Sequence, residues 1–410
     1  METRTINILP TSFDSRRAFF TIPEGTKYLT NKIRLADFEL LNGSSRPIYF
    51  NAKGFYTLIK SISFLNSTGN AIDSMQNTDY IALKILRAPN SVQRDVSRIL
   101  YQNNGISVDC PSLGSIALNE QTGRQDATKI GGYLDLSFMS EYLQARQIST
   151  DQLQIQIEWI ESSNISGGWA FSRPPTLFVD EVLSGEPTDA QDVIVYNTIV
   201  SDFLPVYPKF HKYDVEGEGY GDDEKLVKVD RRMNAYNQQM IKNLYFYFPF
   251  TDKGKILPNG FARAFHETTL NCLIDGKQVL PFGGLNTDAK LLSHITDHFS
   301  SLCLPGAPAY YANMSTNPDS FNHNSPALIN PNTEVVYNGV FAWSCLALNQ
   351  VVLSDIVLQY AGKVSAETDV KYPEFLSSLA EVARYYKRST GMTGNFTPVQ
   401  ETKNLKTGRM

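Results

Sequence analysis

Residues 152–160 read Gln152-Leu-Gln-Ile-Gln-Ile-Glu-Trp-Ile160. Leu153, Ile155, Ile157 and Trp159 alternate with Gln152, Gln154, Gln156 and Glu158. Successive side chains on a strand point to opposite faces, so a period of two puts every apolar group on one face and every polar group on the other. The segment reads as a strand with one packed face and one that is wet or meets a polar partner.

Working outward from it, the chain repeats one order of elements. Before this strand come a strand-like run from Phe55 to Leu65, a tight turn at Ser67-Thr68-Gly69-Asn70, a second run from Tyr80 to Leu86 and a short helix from about Ser91 to Tyr101. A second series has a run from Phe265 to Ile274, the turn Asp275-Gly276, a return run from Lys277 to Phe282 and a helix over Thr287–Leu302. It closes on the run from Val351 to Tyr360. Gly69 to Gly276 is 276 − 69 = 207 positions, Ser91 to Thr287 is 196 and Trp159 to Tyr360 is 201, so one offset near 200 fits turns, helices and closing strands. The repeat lies in element order rather than residue identity.

Size and composition agree with a duplicated β unit. A chain of 410 residues divides naturally into two domains. Only 19% of residues are charged, against 23 Phe and 21 Tyr, a balance that suits pleated, half-buried surfaces and interfaces between subunits. Net charge is −5, with Arg4, Arg16 and Arg17 the only cations before residue 20, so nothing here is built to coat nucleic acid. The four cysteines, Cys110, Cys272, Cys303 and Cys345, are widely spaced with no C-x-x-C, and read as buried thiols of a reducing compartment. No basic region followed by an apolar stretch opens the chain as a signal peptide would. The most apolar segment, Val340 to Leu353, is interrupted by Ser344, Asn349 and Gln350 and falls short of the roughly 20 residues a bilayer needs. The sequons at Asn42, Asn66, Asn164, Asn313 and Asn395 then read as chance matches.

Other stretches carry their own signals. In Lys32–Leu41, Ile33 and Leu35 share one face while Ala36, Phe38 and Leu40 share the other, a phase change that points to a bulge. Leu244 to Phe250 is apolar on both faces, as in a wall covered by a neighbouring sheet or subunit. Residues 161–192, with Gly167-Gly168, Pro174-Pro175 and Gly185-Glu186-Pro187, read as the inter-domain connection, and a strand follows from Val193 to Val200. Phe375, Leu379, Val382 and Tyr386 lie at helical spacing behind Pro373, which predicts a helix from Pro373 to Arg388.

Candidate chemistry is sparse. His294 and His298 stand at i, i+4 with Asp297 between them, but Ile295 occupies the place of a metalloprotease glutamate, so a polar helix face accounts for them. Asp214, Glu216, Glu218 and Gly219 begin like a calcium loop, yet Lys225 stands where the bidentate Glu belongs, and residues 214–224 read as an exposed acidic loop. His266 and Glu267 are neighbours on a strand and face opposite ways. No nucleophile elbow, P-loop or dinucleotide fingerprint occurs. The residues therefore name no catalytic, cofactor-binding or metal site, no cofactor is expected, and the chain does not read as an enzyme.

The segment Tyr133-Leu-Asp-Leu-Ser-Phe138 followed by Leu153–Trp159 resembles the closing strands of the first barrel in the double jelly-roll major capsid proteins of double-stranded DNA viruses. Val340-Phe341-Ala342 through Leu358-Gln359-Tyr360-Ala361 resembles the closing region of their second barrel. The likeness spans roughly residues 30–365 and implies an all-β fold of two tandem eight-stranded antiparallel jelly rolls with short inserted helices, to which the helical spacing behind Pro373 adds a C-terminal helix outside the likeness. The expected divisions are an N-terminal arm (1–30), a first roll (31–168), a linker with the second roll (169–365), and a C-terminal helix with a flexible tail (366–410). The resemblance further implies a virion shell protein whose homotrimer forms a pseudo-hexagonal capsomer. Its partners would be neighbouring capsomers, penton and minor capsid proteins and, optionally, an internal membrane, with no sequence-specific nucleic acid.

Arg384, Lys387 and Arg388, with Lys403, Lys406 and Arg409, make the C-terminal end the more basic part of the chain, which suits either an inward-facing tether to anionic lipid or genome or a helix packed on its own roll with a frayed tail. Two rival readings stand beside this one. One is a vertex capsid protein with a single roll and an insertion domain; the other is a carbohydrate-binding or carbohydrate-active β-sandwich, which would need a cleft with converging carboxylates or an aromatic platform.

Overall fold

The computed structural model describes residues 2–23, 29–42, 54–81, 129–146, 152–162, 169–184, 192–207, 209–211, 224–236, 239–247, 249, 251–252, 255–256, 266–274, 276–278, 341–344, 351–352, 356–364 and 373–396. The first half contributes β1 (Glu2–Ile8), β2 (Ser12–Phe13), β3 (Arg17–Ile22), β4 (Leu29–Asn42), β5 (Ile59–Leu65), β6 (Ala71–Met75), β7 (Lys129–Asp135), β8 (Leu153–Trp159), β9 (Trp169–Arg173) and β10 (Thr176–Ser184). Two short helices, α1 (Leu136–Met139) and α2 (Glu141–Ala145), follow β7.

These strands form two antiparallel sheets, ordered β1-β10-β4-β7, with β9 also on β4, and β2-β3-β8-β5-β6. The alternating segment Leu153–Trp159 is β8. It lies between β3 and β5, with Ile157 opposite both Ala18 and Ile62. Leu153, Ile155, Ile157 and Trp159 are all buried. Trp159 meets Phe171 of the facing sheet with ring centroids 5.0 Å apart, and Phe171 also contacts Phe13 at 5.4 Å and Phe38 at 6.0 Å. Aromatic rings thus fill the space between the two sheets.

The phase change in Lys32–Leu41 is a bulge. Asp37 takes φ 58°, and the register with β7 shifts between Leu35 and Phe38. The extra residue lets Ile33, Leu35, Phe38 and Leu40 all reach the core, which strict alternation would forbid. The β5–β6 hairpin turns where Gly69 supplies a φ of 82°. Asn66 holds this turn, its Oδ1 accepting from the backbone N–H groups of Thr68 and Asn70 at 3.1 and 2.9 Å.

The second half contributes β11 (Val193–Val206), β12 (Lys209–His211), β13 (Glu224–Arg232), β14 (Met240–Tyr247), β15 (Thr251–Asp252), β16 (Lys255–Ile256), β17 (His266–Ile274), β18 (Lys277–Gln278), β19 (Phe341–Ser344), β20 (Val351–Val352), β21 (Ile356–Val364), β22 (Glu374–Lys387) and β23 (Met392–Asn395). Its sheets run β11-β22-β14-β19, with β20 on β14 and β23 on β22, and β12-β13-β21-β17-β18; β15 and β16 form a separate two-stranded ribbon. Setting aside the extra pieces, both halves use one order: first–eighth–third–sixth strand in one sheet and second–seventh–fourth–fifth in the other. That is the jelly roll, present twice. From the start of β10 at Thr176 to the start of β22 at Glu374 is 374 − 176 = 198 positions, so the offset read from the sequence extends to the eighth strands. The hairpin expected at Asp275-Gly276 is also present: Ile274 pairs with Lys277, and Gly276 has φ 73°.

Several expectations are corrected. Within the expected arm, residues 2–8 and 17–22 are sheet strands: β1 pairs with β10 along its whole length, and β3 pairs with β8. The segment 161–192 is not a bare connection, because it holds β9 and β10; its Pro174-Pro175 falls between the two strands. Phe55–Leu58 lies in a 3₁₀ turn ahead of β5. The return strand is Ala71–Met75, whereas Asp79–Ile81, at the start of the run read as a strand from Tyr80, is helical. Tyr133–Asp135 ends β7, but Leu136–Met139 is helical, with Asp135 capping it by accepting from the Ser137 N–H at 2.9 Å.

The largest correction is at the C-terminal side. Residues 374–387 are not a helix but β22, the eighth strand of the second roll, lying between β11 and β14. Its residues from Leu376 to Ala383 are buried without a break, so both faces are covered and no period-two pattern survives. The helices expected at 91–101 and 287–302, the loop residues 214–223 and the tail 397–410 lie outside the described residues.

Candidate functional site: the junction between the rolls

The second roll's edge strand, β11, packs on β6 and α2 of the first roll. The contact is polar at its centre and aromatic beside it. Asp73 of β6 accepts from the Thr198 hydroxyl of β11 at 2.6 Å, from the Ser140 hydroxyl and from the backbone N–H of Ser74 at 2.9 Å. Ser140 stands between the two helices and also caps α2 by accepting from the Leu143 N–H. The Tyr196 hydroxyl donates to the Ile72 carbonyl, and the Asn197 side-chain amide donates to Glu141 at 2.7 Å. Tyr142 of α2 stacks edge-on against Tyr196 and Tyr386, with centroids 5.4 and 5.8 Å apart. The Arg388 guanidinium donates to the Arg146 carbonyl at 3.1 Å, and the Asn66 amide to the Gly391 carbonyl at 3.1 Å. Arg384 lines a cavity at the junction, while Lys403, Lys406 and Arg409 of the expected tether lie outside the described residues.

A second buried carboxylate is held from both rolls. Glu381 of β22 accepts from the Tyr80 hydroxyl of the first roll at 3.1 Å, from the Tyr245 hydroxyl at 3.0 Å and from the Asn243 amide. Tyr245 and Phe246, on opposite faces of β14, are both buried, as the apolar character of both faces required. Burial raises the Asp73 carboxyl to about 6 against the lowering effect of its hydrogen bonds from Ser140, Thr198 and Ser74. Burial likewise raises the Tyr196 hydroxyl. Two cavities open at this junction, of about 380 and 270 Å³. Among the described residues, Glu141 is the one carboxylate lining the first, with Val195, Asn197 and Phe396, and Asp73 is the one lining the second, with Gln76, Arg384 and Thr393.

His294, Asp297, His298, Asp214, Glu216, Glu218 and Gly219 lie outside the described residues, and Lys225 falls within β13. His266 and Glu267 are successive positions of β17, at the point where its register with β21 shifts between His266 and Thr269. Cys272 is buried and unpaired, its thiol pushed up to about 12 by burial; Cys110, Cys303 and Cys345 lie outside the described residues. Asn66 is buried in the hairpin turn and unavailable as a glycan acceptor. Among the described residues no cluster of His, Cys, Asp and Glu could hold a metal ion, and no helix is long and apolar enough to cross a membrane. The junction itself escaped the sequence reading. Its one legible sign was an acid inside an apolar run, as in Leu379-Ala-Glu381-Val382.

No protein-family profile and no characterised protein matches the sequence. Solved structures do match its fold. A chain of the Sputnik virophage is similar over 96% of this chain and 88% of its own, with a TM-score of 0.53 at 10% identity. The mavirus major capsid protein is similar over 96% and 90%, with a TM-score of 0.51 at 12% identity. A chain of the PBCV-1 virus capsid is similar over 97% and 96%, also at 0.51 and 12%. The chain has the fold of the double jelly-roll capsid proteins.

Proposed function

We propose that this protein is a major capsid protein: a structural subunit, not an enzyme, that tiles the shell of an icosahedral virion. The observation that carries this reading is the likeness of nearly the whole chain, both rolls together, to the mavirus major capsid protein and the PBCV-1 capsid. A tile must hold its shape while forces act at its rim. A junction of hydrogen-bonded carboxylates and packed tyrosines supports that role by fixing one roll against the other.

In the proposed assembly three chains surround a threefold axis, and their six rolls give a capsomer of nearly hexagonal outline. Neighbouring capsomers, penton and minor capsid proteins complete the shell. Val193, Val195 and Phe203 on β11 and Met392 on β23 are exposed apolar groups of the kind that subunit contacts cover. The test is the mass of the native protein, followed by electron microscopy of its assemblies. Three chains and hexagonally packed arrays are expected. Five chains would point to a vertex protein, and one or two, with no arrays, to a carbohydrate-binding sandwich; either result overturns the proposal.

A further inference from the structure

Asp73 is a carboxylate placed where a charge is costly. It is 7% exposed and sits between two domains. Its bonded partners are two hydroxyls and one backbone N–H. No cation among the described residues forms an ion pair with it. The charged and titratable groups around it come from each packed element. Glu141 of α2 acts on it as a second negative charge, Tyr196 of β11 is a neighbour with its own hydroxyl committed to Ile72, and Arg384 of β22 lines the same cavity. From β23 only the uncharged Thr393 reaches this cavity. The cavity of about 270 Å³ beside the carboxylate gives protons a route without separating the rolls.

We propose that the junction is a proton-responsive clamp, in which acidification neutralises Asp73 and tightens the hold of the first roll on the second. A protonated Asp73 keeps its contacts, because a hydroxyl that donates to a carboxylate can instead accept from the carboxyl O–H. The direction follows from linkage. Burial, reinforced by Glu141, raises the folded-state carboxyl to about 6, above its ordinary value of 3.8. Between those values the folded chain binds a proton that the unfolded chain does not. The junction therefore gains stability as pH falls from about 6 toward 4, and gains no more below that. The clamp does not depend on the shell reading, since it works within a single chain.

The experiment is equilibrium denaturant unfolding of the full-length protein and of Asp73→Asn at pH 7.5 and pH 4.5. The ratio of the two unfolding constants should change by roughly 30-fold between these conditions, with the wild type gaining on acidification. A ratio that does not move with pH overturns the proposal. Should Asp73→Asn fail to fold, Thr198→Val gives the second reading. Loss of that donor should shift the acid-stabilised transition of the wild type to higher pH, and an unchanged pH profile would likewise overturn it.

Discussion

The Tyr80 hydroxyl, in the first roll, donates to Glu381 Oε1 in the eighth strand of the second roll at 3.1 Å, across 301 positions of sequence. Asp73 makes the opposite link, a carboxylate of the first roll accepting from Thr198 of the second. Each roll thus inserts a buried acid into a bond made by the other. Buried carboxylates persist only when hydrogen-bonded, so the two links succeed together when the rolls dock in this one arrangement.

Replacing Glu381 by Ala removes the shared acceptor of Tyr80, Tyr245 and Asn243. The expected loss is on the order of 3 kcal/mol of unfolding free energy, with Glu381→Gln costing less because one acceptor oxygen remains. Urea titration of both variants checks this. A Glu381→Ala protein as stable as the wild type would show that the three bonds add nothing.

Deleting residues 367–410 removes β22 together with the tail. Because β22 lies between β11 and β14, its loss exposes two strand edges and the core of the second roll. The expected outcome is insoluble protein. Soluble, folded protein from this deletion would contradict the placement of the strand, and solubility with circular dichroism decides it.

Phe171 contacts Phe13, Phe38, Trp159 and Trp169, and so couples the two sheets of the first roll. Phe171→Ala should cost about 2 kcal/mol, below the range for a fully buried ring because Phe171 keeps some exposure. Phe171→Leu should recover about half. Thermal unfolding midpoints of the two variants test the order.

Gly69 and Gly394 are needed for different reasons. At Gly69 the space is open but φ is +82°, so Gly69→Ala should cost about 1 kcal/mol through backbone strain alone. At Gly394 an added Cβ would lie 2.6 Å from the Tyr385 hydroxyl oxygen. The penalty of Gly394→Ala should therefore largely vanish in a Tyr385→Ala background, while that of Gly69→Ala should not. A double-mutant cycle separates the two cases.

How much was legible in the sequence follows the number of covered faces. The β8 segment Leu153–Trp159 has one packed face, so its alternation stands in the residues themselves, and the bulge in β4 shows as a phase change. The turn at Gly69 and the hairpin at Gly276 are local, since a positive φ favours glycine whatever surrounds it. With one offset near 200 these fixed an all-β chain built twice. The site was less visible, because Asp73, Thr198, Ser140, Tyr80 and Glu381 become neighbours only when separate elements dock.

The eighth strands mark the boundary between local and tertiary information. In β22, Phe375, Leu379, Val382 and Tyr386 fall at helical spacing, yet tertiary pairing with β11 and β14 makes the segment a strand. Its own roll and the neighbouring roll cover it, so apolar and small residues fill consecutive positions and any short periodicity is accidental. β10 was hidden because the breakers Pro174-Pro175 and Gly185-Glu186-Pro187 flank it closely. Sequence determined the elements whose pattern is set by their own backbone and one buried face. Tertiary structure decided the elements buried on both sides, and with them the junction, because their identity depends on partners nearly two hundred residues away.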